Sequence, residues 1–81
     1  MYYTYILYSS TIDKYYTGYT SDLKLRIERH NSSWGKYSSK GIPWQLVYSE
    51  TYATKSEAIK RESEIKKKKS SKYIESLFVK S

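Results

Sequence analysis

A chain of 81 residues that contains no cysteine has neither a disulfide nor a thiolate metal site to hold it, so its fold must rest on packing alone. Eleven tyrosines, two tryptophans and one phenylalanine supply the large contact areas that such packing needs. The length predicts one domain over residues 1–81 with one modest core. Apolar runs such as Tyr5-Ile6-Leu7-Tyr8 span only a few residues, far short of the roughly 20 that cross a bilayer. No membrane is expected. The N-terminus lacks a basic stretch followed by an apolar one, so no secretion signal is expected either. With no cysteine to oxidise, the expected location is cytoplasmic. The net charge is +7, from 15 Lys plus Arg against 8 Asp plus Glu, and it favours a polyanionic partner such as nucleic acid. On charge alone, a basic surface with no such partner is an equal reading.

The elements follow from residue type and periodicity. Tyr2 to Tyr8 is aromatic and β-branched and reads as a strand, as does Tyr15 to Thr20. The polar stretch Ser9–Lys14 between them predicts a hairpin with a six-residue connection. Thr20 or Ser21 is expected to cap a helix over Leu23–Asn31, with Asp22 in its first turn. Ser32–Pro43, rich in Ser, Gly and Lys, predicts a loop. Trp44–Tyr52 reads as a third strand. Thr54 and Glu57 form a T-x-x-E capping box that opens a long helix from about Lys55 to Lys69. Ser70-Ser71 interrupts it, and Lys72–Val79 predicts a last helix with Ile74, Leu77 and Phe78 on one face. The order ββαβαα predicts an α+β layered domain, a small three-stranded antiparallel-type sheet flanked by helices.

Three charged or polar residues fall on faces that should look inward. In the first helix, Leu23 and Ile27 mark the apolar stripe, and Arg26 and His30 complete its i, i+3, i+4, i+7 pattern. The structural alternative is an Arg26 stem running past the core and a satisfied, half-buried His30. In the long helix, Ala58, Ile59 and Ile65 define the apolar arc, and Glu62 lies within it. A carboxylate there is costly to desolvate without a cation. It is either a structural ion pair with Arg26 or a neighbouring lysine, or a metal ligand. Taken together, one Arg, one His and one Glu beside a tyrosine-rich sheet predict a shared polar cleft.

These residues match a known pattern. Tyr3-Thr4-Tyr5 and Tyr16-Thr17-Gly18 resemble the two halves of the GIY-YIG signature, with Tyr5 and Tyr16 eleven positions apart. Arg26 follows Gly18 by eight, His30 follows Arg26 by four, and Glu62 sits in a helix after the third strand. The segments Asp22–Asn31, Leu46–Glu50, Ser56-Glu57-Ala58, Arg61-Glu62 and Ile65-Lys66 are similar to the small single-domain bacterial members of that superfamily. Those members resemble the N-terminal nuclease domain of the bacterial excision-repair nuclease. There are departures. Tyr3 replaces the first glycine, and Thr4 and Thr17 replace the central isoleucines. Tyr19 stands where many of the repair nucleases carry lysine, and the asparagine that some members carry after the last helix has no match.

The resemblance implies a GIY-YIG fold and a metal-dependent endonuclease that hydrolyses phosphodiester bonds, in DNA rather than RNA, with a place in DNA repair or processing. It implies one divalent ion, Mg²⁺ or Mn²⁺, on Glu62, with Arg26 neutralising phosphoryl charge. Tyr5 and Tyr16 would flank the attacking water, Tyr5 being the favoured general base, and His30 would orient a tyrosine or relay the proton. Gly18 would permit close approach of backbone or substrate, or form a bulge. Lys36, Lys40, Lys66 and Lys69 would hold nucleic-acid backbone, and Trp34 would stack on bases. The missing lysine and asparagine leave a second reading, a nucleic-acid-binding module of the same fold with little or no turnover.

Overall fold

The computed structural model describes residues 1–32, 40–68 and 71–78. Its elements are β1 (Tyr2–Ser9), β2 (Lys14–Thr20), α1 (Leu23–His30), β3 (Trp44–Tyr52), α2 (Lys55–Lys68) and α3 (Ser71–Phe78). The order is the expected ββαβαα. The three strands form an antiparallel sheet in the order β2-β1-β3, so β1 is central and buried on both faces. The expected helix ends at Lys69 and Val79 lie outside the described residues.

The β1-β2 hairpin is tighter than its sequence predicts. Ser9 pairs with Lys14, which leaves residues 10–13 as the connection. The reason lies in the turn chemistry. Ser9 is fully buried, and its hydroxyl accepts the Ile12 amide at 3.4 Å. Asp13 takes a left-handed φ of 51°, which aspartate tolerates, and its carboxylate accepts the Tyr8 hydroxyl at 2.7 Å.

The helix starts follow capping chemistry. Asp22, rather than Thr20 or Ser21, caps α1, with its carboxylate accepting the Leu25 amide at 3.0 Å. Thr20 is already the last residue of β2, and its hydroxyl accepts the Asp22 amide at 3.1 Å instead. At α2 the Thr54 hydroxyl accepts the Glu57 amide at 3.3 Å and donates to the Glu57 carboxylate at 2.9 Å, so the predicted box forms.

Alternation along β1 separates two packed faces. Tyr5 and Leu7 form a core with Trp44, lined by Tyr16 and by Leu23 and Ile27 of α1. On the other face Thr4 donates to the Ala58 carbonyl at 2.8 Å, which seats α2 beside the buried Ile6. Ala58 and Ile65 are the buried residues of α2, as the apolar arc predicts. Burying an isoleucine such as Ile65 contributes about 1.5–3 kcal/mol, and the single methyl of Ala58 less.

A β-bulge lets β3 serve both faces. Leu7 pairs with Leu46 while Ile6 pairs with Tyr48, so Val47 is the extra residue. Directly paired residues share a face, so the even-numbered positions of β3 change sides at that point. Trp44 joins the core on the α1 side. Glu50, beyond the bulge, faces α2 and accepts Arg61 Nε at 3.0 Å. Its carboxylate also accepts the hydroxyls of Tyr48 and Tyr52, and Arg61 Nη1 donates to the Tyr73 hydroxyl of α3 at 3.2 Å. Burial alone would raise the Glu50 pKa, but these hydrogen bonds outweigh it and hold the group below the usual carboxylate value.

Candidate active site

A cleft of about 440 Å³ opens at the end of the sheet where β1 begins and β2 ends. Tyr5 and Tyr16 line it from adjacent strands, Arg26 from α1 and Glu62 from α2. Gly18, which pairs with Tyr5, forms part of its wall. A β-carbon at Gly18 would lie 2.7 Å from the Tyr5 hydroxyl oxygen and 3.1 Å from Cε1 of Tyr16. Glycine is therefore required here by the close passage of a side chain, and the β1-β2 register runs through it without a bulge.

The Tyr5 phenol is held from behind. It is 1 % exposed and shares a 3.2 Å hydrogen bond with His30 Nε2. His30 is also 1 % exposed and sits against Tyr16 and Trp44, with ring centroids 4.7 and 6.2 Å away. Burial pushes the Tyr5 pKa well above that of a free phenol. Tyr16 and Glu62 add to the rise, and the Arg26 guanidinium works against it. Burial, then the Arg26 charge, lowers the His30 pKa, so its imidazole is neutral at pH 7. The end of α1 that presents His30 is clamped to β3. Asn31 accepts the Trp44 amide at 2.6 Å and donates to the Trp44 carbonyl at 3.1 Å. In the sequence Asn31 stands at the predicted helix end and in the family-like segment Asp22–Asn31, and no local pattern marks the clamp.

Glu62 is 15 % exposed at its side chain and pairs with Lys66 Nζ at 3.3 Å. A neighbouring lysine is thus an ion-pair partner of Glu62. Among the described residues no group of three or more His, Asp or Glu could enclose a metal. The ligand set is one carboxylate beside open volume, which fits a hard divalent ion that keeps most of its waters. Glu62 would hold such an ion through a carboxylate of which Lys66 engages one oxygen.

Of the residues expected to touch nucleic acid, Lys66 lies beside Glu62, and Lys40 is exposed away from the cleft walls. Trp34, Lys36 and Lys69 lie outside the described residues. The cleft also has walls that the sequence reading missed: Tyr2, Tyr19, Thr20, Ser21 and Lys55. Helical spacing could have found Lys55, which is seven residues before Glu62 and so on the same face of α2. Among the described residues no helix is long and apolar enough to cross a membrane.

Comparison with known proteins agrees with this geometry. Residues 1–74 match the GIY-YIG catalytic domain family. A UPF0213 protein of Staphylococcus epidermidis is 56 % identical over 52 residues, which cover 63 % of this chain and 63 % of that protein. A UPF0213 protein of Staphylococcus aureus strain Mu3 matches at the same identity over the same share of each chain. The chain therefore spans less than two thirds of the length of these curated relatives. The solution NMR structure of a UPF0213 protein from Bacillus halodurans superposes with a TM-score of 0.51 at 39 % identity, covering 83 % of this chain and 72 % of that one.

Proposed function

This chain belongs to the GIY-YIG catalytic domain family, a nuclease-type family, and from that membership and its cleft we propose that it is a metal-dependent endonuclease hydrolysing phosphodiester bonds in DNA. The observation that carries the proposal is the cleft itself, where the Tyr5 and Tyr16 phenols, the Arg26 guanidinium and the Glu62 carboxylate line a single opening of about 440 Å³. Residues 1–81 would act as one nuclease unit, in the repair or processing of DNA, within the cytoplasm.

Hydrolysis needs an attacking water, a base, and positive charge where the phosphoryl oxygens become more negative. Arg26 would supply that charge through a planar fork matched to phosphate. Tyr5 would act as the base in concert with His30. As the phenol takes a proton from water, it passes its own to the neutral His30 Nε2, 3.2 Å away. The relay replaces a free phenolate with a His30 imidazolium; burial disfavours both charged forms, and the negative charge developing at the attacked phosphoryl group would offset the imidazolium. Tyr16, half-buried and on the same cleft wall, would hold the water against the phosphorus. Glu62 would hold Mg²⁺ or Mn²⁺. When bound there, the ion supplies polarisation of a phosphoryl oxygen and charge for the leaving oxygen.

One observation favours the second reading, a nucleic-acid-binding module with little turnover. Lys66 engages one oxygen of the Glu62 carboxylate at 3.3 Å, so an ion there competes with a resident cation. The test is to incubate pure protein with Mg²⁺ or Mn²⁺ and single-stranded, duplex and branched DNA, with RNA alongside. The nuclease reading expects cleavage that Arg26→Ala reduces about 100-fold or more while binding is kept. Binding of every form with no cleavage of any supports the module instead.

A further inference from the structure

Among the described residues two cationic side chains, Arg26 and Lys55, line the cleft. Arg26 is half-buried and acts on the Tyr5 phenol, which fixes it at the reacting centre. Lys55 has a different setting. It is exposed, and it opens α2 seven residues before Glu62. Seven residues are about two turns, or about 10.5 Å of helix axis, with both side chains on one face. Helical side chains all lean toward the N-terminus of their helix, so Lys55 and Glu62 lean the same way and keep about that separation. The ammonium thus lies along the cleft from the carboxylate rather than over it. A phosphoryl group held between Arg26 and Glu62 leaves Lys55 facing the next stretch of the same strand.

We propose that Lys55 is a substrate-contacting residue that binds a backbone phosphate neighbouring the scissile one, and so sets how a nucleic-acid strand lies through the cleft. This rests on the nuclease-type reading of the same cleft. The charges agree with it. Lys66 pairs with Glu62, and among the described residues Arg26 and Lys55 are the two cations along the wall. Two cations spaced along one groove match a polyanion with regularly repeating charge better than they match a lone phosphate. Tyr2 and Tyr19, also on the cleft wall, would flank the strand between them.

The experiment measures binding of a fluorescein-labelled single strand by anisotropy, in EDTA so that nothing is cut, at several salt concentrations. Wild type is compared with Lys55→Ala, Lys55→Gln, Lys55→Arg and Lys60→Ala. Lys60 is exposed on the same helix and away from the cleft walls. Lys55→Ala and Lys55→Gln are expected to weaken binding about fivefold. The slope of log K against log salt should become shallower by about 0.7, the value for one lost phosphate contact on a single strand. Lys55→Arg should restore both, and Lys60→Ala should leave both near wild type. If the two charge-removing variants bind like wild type, or if Lys60→Ala costs as much as they do, the assignment is overturned and the nuclease reading stands. If wild-type protein shows no salt-sensitive binding at all, both fall.

Discussion

His30 is the only histidine of the chain, and it is buried where its charged form is unwelcome. Burial, then Arg26, lowers its pKa in the folded protein, so the unfolded chain takes up the proton first. Stability is therefore fully present above the unfolded value of about 6.5 and is lost as pH falls below it. Urea denaturation at steps between pH 7 and pH 5 should show falling stability, with a slope no steeper than about 1.4 kcal/mol per pH unit. His30→Gln should remove most of the slope in the upper part of that window, where carboxylates are still almost fully ionised. A wild-type profile that is flat from pH 7 to pH 5 would refute the account of His30. The sequence made this residue legible as an inward-facing polar group because Arg26 and His30 share the stripe of Leu23 and Ile27. It did not show that Tyr5 would be its partner. That contact depends on a pairing of Tyr5 with Gly18 that leaves the phenol room, and no local spacing encodes it.

Among the elements, β3 carries the most that local pattern could not reveal. Its bounds, Trp44–Tyr52, were readable from aromatic and β-branched residues. The bulge at Val47 was not, because neither glycine nor proline marks it. Yet the bulge is what turns Trp44 toward the Tyr5 core and Glu50 toward Arg61. The Glu50 carboxylate gathers donors from β3 and α2, and Arg61 carries the link to Tyr73 of α3. Glu50→Ala would leave two phenols and one guanidinium short of an acceptor. It should cost about 1.5–3 kcal/mol in urea denaturation with an unchanged m-value, and Glu50→Gln should cost less because it keeps an acceptor. A loss for Glu50→Ala below about 0.5 kcal/mol would mean that the network does not tie the helices to the sheet. The capping box at Thr54 and Glu57 was legible because its chemistry is local, four residues wide. At α1 the cap moved to Asp22 because strand pairing had already claimed Thr20.

At the scale of the whole molecule, the site exists because opposite faces of one sheet deliver side chains to the same end. Tyr5 and Tyr16 face α1, whose Arg26 lies beside them, while Glu62 comes from the helix seated on the Thr4 side. Periodicity could place each residue on an inward face. Their meeting required the strand order β2-β1-β3, which follows from long-range pairing rather than from any segment alone. The resemblance to a nuclease family supplied that convergence in advance, and the cleft has it. The claim that this convergence serves hydrolysis rests most heavily on Glu62. The decisive measurement is the single-turnover rate of DNA strand cleavage in Mg²⁺ or Mn²⁺ by wild type and by Glu62→Gln, with the Kd of each measured on the same strand. The account predicts cleavage by wild type, a rate at least about 100-fold lower for Glu62→Gln, and a Kd that does not weaken. Cleavage by Glu62→Gln at the wild-type rate would contradict it.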